Sequence, residues 1–536
     1  MLGLVFLWPA LPAAPAGGGL TALTAQAAPL AGPCDPPVSN PVACENTLPG
    51  NPKTEWDIPG GGAGDATLQG YATEISVNKG QPVQFKVKTD ASSWRIDIYR
   101  LGYYGGAGAR KWETLTVNQA QDQPACLSDA PTGLVDCGNW AVSATWNMPA
   151  TAVSGIYVGK LVRPDTGGSS HIVFVVRDDA GASDILFQTS DTTWQAYNSY
   201  GGNSLYTGAP VGRAYKVSYN RPITTRQSGC CAGSFETWLF AAEYPMVRWL
   251  EANGYRVSYT SGVDTDRRGA ELLEHKVFMT VGHDEYWSNQ QRSNVEAARN
   301  AGVNLAFLTG NDMFWKTRWE NSVDGSNTPH RTLVSYKETH ANAKIDPTPA
   351  WTGTWRDPRF SPPADGGRPE HALTGTLFRV NGTRNDAMTV PAAEGKMRLW
   401  RNTAIAALAP DTTATLPTGT LGYEWNEAPN DANRPAGRMS LSSTTLPING
   451  QYLTDHGSTF GNGTATHHLT LYRHSGGALV FSAGSTQWSW GLDSTHDSFP
   501  APTDANMQQA TVNLLADMSA QPSTLQGGLS GATKST

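Results

Sequence analysis

The segment Thr280-Val281-Gly282-His283-Asp284-Glu285-Tyr286-Trp287 sets an imidazole and a carboxylate two residues apart, after an apolar run and ahead of a helix-like pattern. An imidazole moves protons near neutral pH, and a carboxylate serves as a base or a metal ligand. A second apolar run leads into Thr309-Gly310-Asn311-Asp312, where the Asn311 amide offers both a donor and an acceptor for orienting an amide or meeting a developing oxyanion. A third segment, Trp194-Gln195-Ala196-Tyr197-Asn198, is followed by Tyr206 and Tyr215, phenols that also serve as stacking residues. Ordinary roles compete at each place: Asp284 or Glu285 at a helix N-terminus, His283 on backbone, Asn311 as a turn residue or N-cap.

Bringing these groups together requires strands that end in one place. From Asp184 onward strand-like and helix-like segments alternate: Ile185 to Phe187, a helix over Thr237 to Asn253 ending at Gly254, and a β-branched run Lys276 to Val281. A helix over Ser288 to Asn300, the strand Val303 to Leu308, the strand Ala478 to Ser482 and a terminal helix Gln508 to Met518 complete the series. Alternation of this kind predicts a mainly parallel sheet with helices on both faces, whose ligand sites lie beyond the carboxyl ends of the strands. Residues 66–178 read differently. Short β-branched and aromatic runs (Glu74 to Val77, Val83 to Val87, Trp94 to Leu101, Gly155 to Val162, His171 to Val176) recur between turn signals, the pattern of a β-sandwich.

The remaining segments bound the reading. Residues 28–65, rich in Pro, Gly and Asn, predict an extended lead-in, and residues 521–536 a disordered, frayed tail. Residues 1–27 read as a signal peptide: apolar from Leu2 to Leu11, interrupted by Pro9 and Pro12, and ending at the small-x-small site Ala25-Gln26-Ala27. The apolar run is too short for a permanent membrane span. Six cysteines fall in near pairs, and Cys34 with Cys44 and Cys126 with Cys137 are expected to form disulfides of an exported chain, with Cys230 and Cys231 left open. At 536 residues the chain needs two domains, and a net charge of −7 without a basic cluster excludes a nucleic-acid binder.

Taken in order, the segment Tyr99-Arg100-Leu101-Gly102-Tyr103-Tyr104-Gly105-Gly106, then Trp194 to Asn198, Gly282 to Trp287 and Gly310-Asn311 resemble the large (beta) subunit family of N,N-dimethylformamidase. Leu421-Gly422-Tyr423-Glu424-Trp425 and Gln487-Trp488-Ser489-Trp490-Gly491 extend the resemblance over nearly all of residues 66–518. It implies an α/β domain resembling class I glutamine amidotransferases and a mononuclear iron, Fe3+, held by two tyrosines and a glutamate. By this resemblance Glu285 is the metal glutamate, His283 the catalytic histidine, Asn311 the active-site asparagine and Glu424 a further acid. Tyr197 matches the Ala-Tyr-Asn motif; the second tyrosine precedes Arg221-Pro222 and is assigned to Tyr215, with Tyr219 and Tyr206 as alternatives.

Phenolate and carboxylate are hard oxygen donors suited to a hard, highly charged cation. Such a cation polarises an amide carbonyl and acidifies water, so no Ser or Cys nucleophile is needed, and no Gly-x-Ser-x-Gly elbow occurs at Gly282 or Gly310. The expected function is a secreted, iron-dependent hydrolase of the C–N bond of a small or peptide-like amide, possible as a homo-oligomer, with a small subunit left open. The family's extra lectin-like domain has no room between Val176 and Ile185, so the substrate need not be a formamide. The alternative is a non-catalytic exported module that binds carbohydrate or cell-surface polymer through its Trp and Tyr. A glycosidase using Glu285 and Glu424 ranks third.

Overall fold

The computed structural model describes residues 33–226, 235–360 and 367–534, together with Met1 and Gly3. The expected leader, apart from Met1 and Gly3, and Cys230 and Cys231 lie outside the described residues. The disulfides Cys34–Cys44 and Cys126–Cys137 are both formed. No helix among the described residues is long and apolar enough to cross a membrane.

Two sheets face each other in the amino-terminal part. One runs in the order Leu68–Ala72, Pro82–Thr89, Ala144–Asn147, and the other Ser76–Asn78, Ser169–Arg177, Gly155–Val162, Trp94–Leu101, Ala109–Val117. Val83, Phe85 and Val87 alternate with exposed or half-buried neighbours, as a half-buried strand requires, and pack with Ile96, Ile98, Trp146 and Phe174. Trp94–Leu101 has no such alternation, because its other face is covered as well: Tyr99, Leu101, Val158 and Val173 share a core with Phe187, Tyr244 and Val257. Arg100 crosses that boundary. Its guanidinium reaches both oxygens of Glu251 at 2.8 and 2.9 Å with neither side chain exposed, and Gly102 leaves room for the Glu251 carboxylate.

The central sheet has seven strands in the order Val257–Ser261, Ile185–Thr189, Val277–Gly282, Asn304–Thr309, Leu479–Ser482, Thr470–Arg473, Met439–Ser440. The first five are parallel, Thr470–Arg473 runs antiparallel to them, and Met439–Ser440 pairs antiparallel with Thr470–Arg473. The chain is therefore a mixed α/β and all-β protein. Ile185–Thr189 and Val277–Gly282 are neighbours, although the chain visits Val257–Ser261 between them. The strand order thus reverses at Ile185–Thr189, and a crevice opens beyond the carboxyl ends of these two strands.

Several expectations need correction. The helix expected over Thr237 to Asn253 is two helices, Leu239–Ala242 and Tyr244–Ala252, since Pro245 starts a helix readily but cannot continue one. The lead-in is not extended: it forms the short helices Pro41–Glu45 and Lys53–Trp56 and buries Trp56 in the core. Residues 521–534 do not fray. Thr524 and Gln526 are bonded to Asn253, Ser530 to Gln509, and Ala532 is buried. The sequence reading named no sheet besides the sandwich and the parallel one, yet two further four-stranded sheets are present. One is ordered Lys216–Ser218, Thr332–Val334, Trp315–Glu320, Tyr286–Ser288, the other Leu421–Glu427, Leu377–Asp386, Thr444–Leu453, Phe460–His467.

His467 at the end of the last strand is fully buried, with Nε2 2.8 Å from the Ala483 carbonyl oxygen, and burial pushes its pKa down to about 3. A depressed histidine contributes stability that is present above its unfolded pKa of about 6.5 and is lost as pH falls toward the folded value. By pH 5 this loss is about 2 kcal/mol. Thermal unfolding at pH 7.5 and pH 5 is expected to show His467→Gln less stable than the parent at pH 7.5, with the gap narrowing at pH 5. A constant gap would mean that His467 is not held neutral.

Candidate active site

Two glycines set the geometry of the crevice. Gly282 ends its strand at φ +78°, and a Cβ there would lie 2.5 Å from Ala242 Cβ, so only glycine lets the helix Leu239–Ala242 close over the strand end. Gly310 ends the neighbouring strand, where a Cβ would meet backbone atoms of Thr486, Ser485 and Glu424 at 2.7 to 2.9 Å. That close approach brings the strand Leu421–Glu427 against the strand ends. Asn311 follows at φ +51°, a left-handed conformation that asparagine tolerates better than most residues.

His283, Asn311 and Glu424 meet in the space so formed, all buried. His283 Nε2 lies 3.0 Å from Glu424 Oε2 and 3.5 Å from Glu285 Oε2, and its Nδ1 lies 3.2 Å from the Tyr423 hydroxyl. With Nε2–H donating to Glu424, Nδ1 accepts from the Tyr423 hydroxyl. Asn311 Nδ2 donates to the same Glu424 oxygen at 2.8 Å, and the Asn311 backbone N–H donates to Asn426 Oδ1 at 2.9 Å. Asn311 Oδ1 is buried with no partner. It is an acceptor that meets no donor among the described residues, which suits a ligand N–H or water. Burial opposes the imidazolium of His283, but Glu424 and Glu285 outweigh burial and its pKa is raised.

Glu285 faces a set of phenols. The Tyr206 hydroxyl donates to Glu285 Oε2 at 2.7 Å and accepts from the Tyr286 hydroxyl at 2.7 Å, while the Tyr197 ring lies 4.2 Å from that of Tyr206. The Glu285 N–H donates to Thr193 Oγ1 in the helix Asp191–Tyr197, and Glu243 anchors that helix by accepting from Ser190 N–H and Trp194 Nε1. Tyr197 and Glu285 are thus brought together, but Tyr215 is not. Its ring stacks on Tyr336 at 4.5 Å, and among the described residues its hydroxyl makes no hydrogen bond. Tyr219 donates to Asp191. Of the three tyrosines weighed, the structure places Tyr206 beside Glu285.

Lys337 and Asn426 were missed in the sequence reading. Lys337 is buried in the left-handed conformation (φ +47°) with its Nζ 3.4 Å from the centre of the Tyr206 ring and 4.7 Å from that of Trp315. Burial pushes its pKa down to about 7, against the pull of Glu285. Asn426 lies two residues beyond Glu424, on the same strand face, and its Nδ2 also donates to Asp312 Oδ2 at 2.8 Å. The Gly-Tyr-Glu-Trp-Asn stretch was the one signal for Asn426; Lys337 has none, being in irregular chain.

Among the described residues no group of three His, Cys, Asp or Glu is arranged to hold a metal ion. A cation here would therefore have to draw on phenol oxygens, and Tyr197, Tyr206 and Glu285 form a hard, all-oxygen set that fits ferric iron better than a thiophilic metal.

By its fold and site the molecule is a β-sandwich joined to an α/β domain, with a buried acid–base constellation where the strand order reverses. The chain belongs to the family described as N,N-dimethylformamidase beta subunit-like, C-terminal, whose model matches residues 95–502. Relatives include the N,N-dimethylformamidase beta subunit of Alcaligenes sp, 32% identical over 121 residues. That of Paracoccus aminophilus is 29% identical over 120 residues. Each alignment covers 22% of this chain and 16% of the relative's own length.

Removing the Tyr206 hydroxyl deprives a buried carboxylate of a donor, a loss of about 1.5 to 3 kcal/mol. Urea unfolding is expected to show Tyr206→Phe destabilised by that order and Tyr215→Phe within about 0.5 kcal/mol of the parent. Equal effects would reverse the choice between the two.

Proposed function

We propose that the protein is an exported hydrolase of a C–N amide bond that depends on a mononuclear iron held by Tyr197, Tyr206 and Glu285. The observation that carries this reading is the juxtaposition of that oxygen set with His283, Glu424 and the unpartnered Asn311 acceptor in one buried crevice. Family membership and the names of the relatives support amide hydrolysis, and two disulfides are compatible with an extracytoplasmic location.

When bound, the metal supplies a Lewis acid that polarises the amide carbonyl and lowers the pKa of water. The chain's own residues supply the rest. Asn311 Oδ1 accepts from a substrate N–H or from the attacking water and fixes its direction. Glu424 takes a proton from that water, and the neighbouring His283 Nε2, 3.0 Å away, carries a proton to the departing nitrogen. Water adds across the C–N bond, giving a carboxylic acid and an amine. Tyr423 on Nδ1 holds the ring so that Nε2 faces the acid. Burial excludes bulk water, which strengthens each of these interactions.

Purified protein is expected to carry about one iron per chain, with a visible phenolate-to-metal band that Tyr206→Phe weakens and Glu285→Ala abolishes with the metal. His283→Ala and Glu424→Gln are expected to keep the iron and lose about 10² to 10⁴ in kcat on a simple amide. Iron loss in either variant would make that residue a ligand, and an iron-loaded protein inert toward a broad amide panel would overturn the hydrolase reading.

A further inference from the structure

Arg213 ends the segment 207–213 that follows Tyr206, of which 209–212 are exposed; it is itself half-buried and near enough to Tyr286 and Lys337 for its charge to act on both. Its Nη2 donates to the Tyr336 carbonyl oxygen at 2.9 Å, the carbonyl of the peptide that leads into Lys337. Its guanidinium lies 5.7 Å from the centre of the Tyr215 ring, which is stacked on Tyr336. Its Nε is buried and donates to nothing, no hydrogen bond among the described residues uses Nη1, and among those residues no carboxylate pairs with it.

A buried guanidinium met by neither a carboxylate nor several carbonyls is out of the ordinary here: Arg221 and Arg438, which pair with no carboxylate among the described residues, donate to four and three backbone carbonyl oxygens. Arg100, Arg163, Arg177, Arg226, Arg248, Arg318 and Arg356, all largely buried, each pair with a carboxylate. A charge taken partly out of water is costly unless something of opposite sign meets it. Lys337, the next cation inward, also forms no ion pair among the described residues, but it lies against the Tyr206 ring, close to Glu285. Arg213 has the Tyr215 ring beside it but, among the described residues, no carboxylate. It offers a planar fork whose unused N–H groups match a carboxylate in two-point contact.

We propose that Arg213 is a specificity determinant that binds the carboxylate of an amide substrate of the N-acyl amino acid kind, while the amide itself lies between Glu285 and Asn311. Building on the amide-hydrolase reading, this names the substrate class of the same site. Tyr206 gives one wall toward the amide, and the Tyr215–Tyr336 pair provides a flat apolar flank for the acid-bearing end. Such a substrate separates this chain from a hydrolase of small neutral formamides, for which the Arg213 cation has no partner.

The test uses iron-loaded full-length protein with the matched amides N-formylalanine and N-formylethylamine. The parent is expected to favour the acid in kcat/KM by about 10- to 100-fold, mainly through KM, with Arg213→Gln bringing the ratio close to one and Arg213→Lys retaining part of it. Independently of turnover, calorimetry on the Glu424→Gln protein is expected to detect N-formylalanine binding that weakens about tenfold or more when Arg213→Gln is added. Equal hydrolysis of both amides, or a preference that survives Arg213→Gln, overturns the proposal and leaves the hydrolase reading standing. Arg213-dependent binding without turnover of either amide overturns the hydrolase reading and upholds the carboxylate site. Absence of both binding and turnover overturns both.

Discussion

Burying His283, Glu285 and Glu424 in one place is the constraint on which the rest of the structure turns. Three ionisable groups out of water are tolerable only if each is met by charge or hydrogen bond. The surroundings provide this through Tyr206, Tyr423 and Asn311. The acids just outside the site have no cation beside them among the described residues, and burial disfavours their charged forms. Burial raises Asp284 and Glu243 well above the carboxylate range, and pushes Asp312 up to about 7 and Asp191 up to about 6.

Much of this arrangement was legible in the sequence, and the boundary of legibility has a physical meaning. Strand Val277–Gly282 and strand Asn304–Thr309 are buried on both faces and end in glycine-marked turns, so His283 and Asn311 stood out as polar residues at strand ends. Glu424 was visible through its motif alone, because Leu421–Glu427 is too thoroughly buried to alternate and is supplied by a sheet inserted far along the chain. Which tyrosine lies beside Glu285 was hidden for a different reason. Tyr206 and Tyr215 are nine residues apart in irregular chain, where no periodicity fixes direction, and only tertiary packing turns one toward Glu285 and the other onto Tyr336.

The aromatic wealth that suggested a polymer-binding surface has another explanation. Every described Trp except Trp112 and Trp319 is buried, and those two are half-buried, so the indoles fill cores and offer no open platform. Several satisfy their N–H on backbone carbonyls, as Trp56 does on Ala107, Trp400 on Leu441 and Trp490 on Ala241.

The segment Tyr99 to Gly106 is likewise structural, and its chemistry accounts for the docking of the sandwich on the α/β sheet. Arg100 and Glu251 are fully buried, and removing either would strand the other's charge at a loss of about 3 to 5 kcal/mol. Glu251 also accepts from the Tyr259 hydroxyl at 2.7 Å, and Tyr259 stands on the strand Val257–Ser261 beside Ile185–Thr189. The same helix that carries Glu251 begins just after Glu243, which anchors the helix bearing Tyr197. One short helix therefore ties the sandwich at one end and the helix bearing Tyr197 at the other, and the docking of the two parts bears directly on the geometry around Glu285.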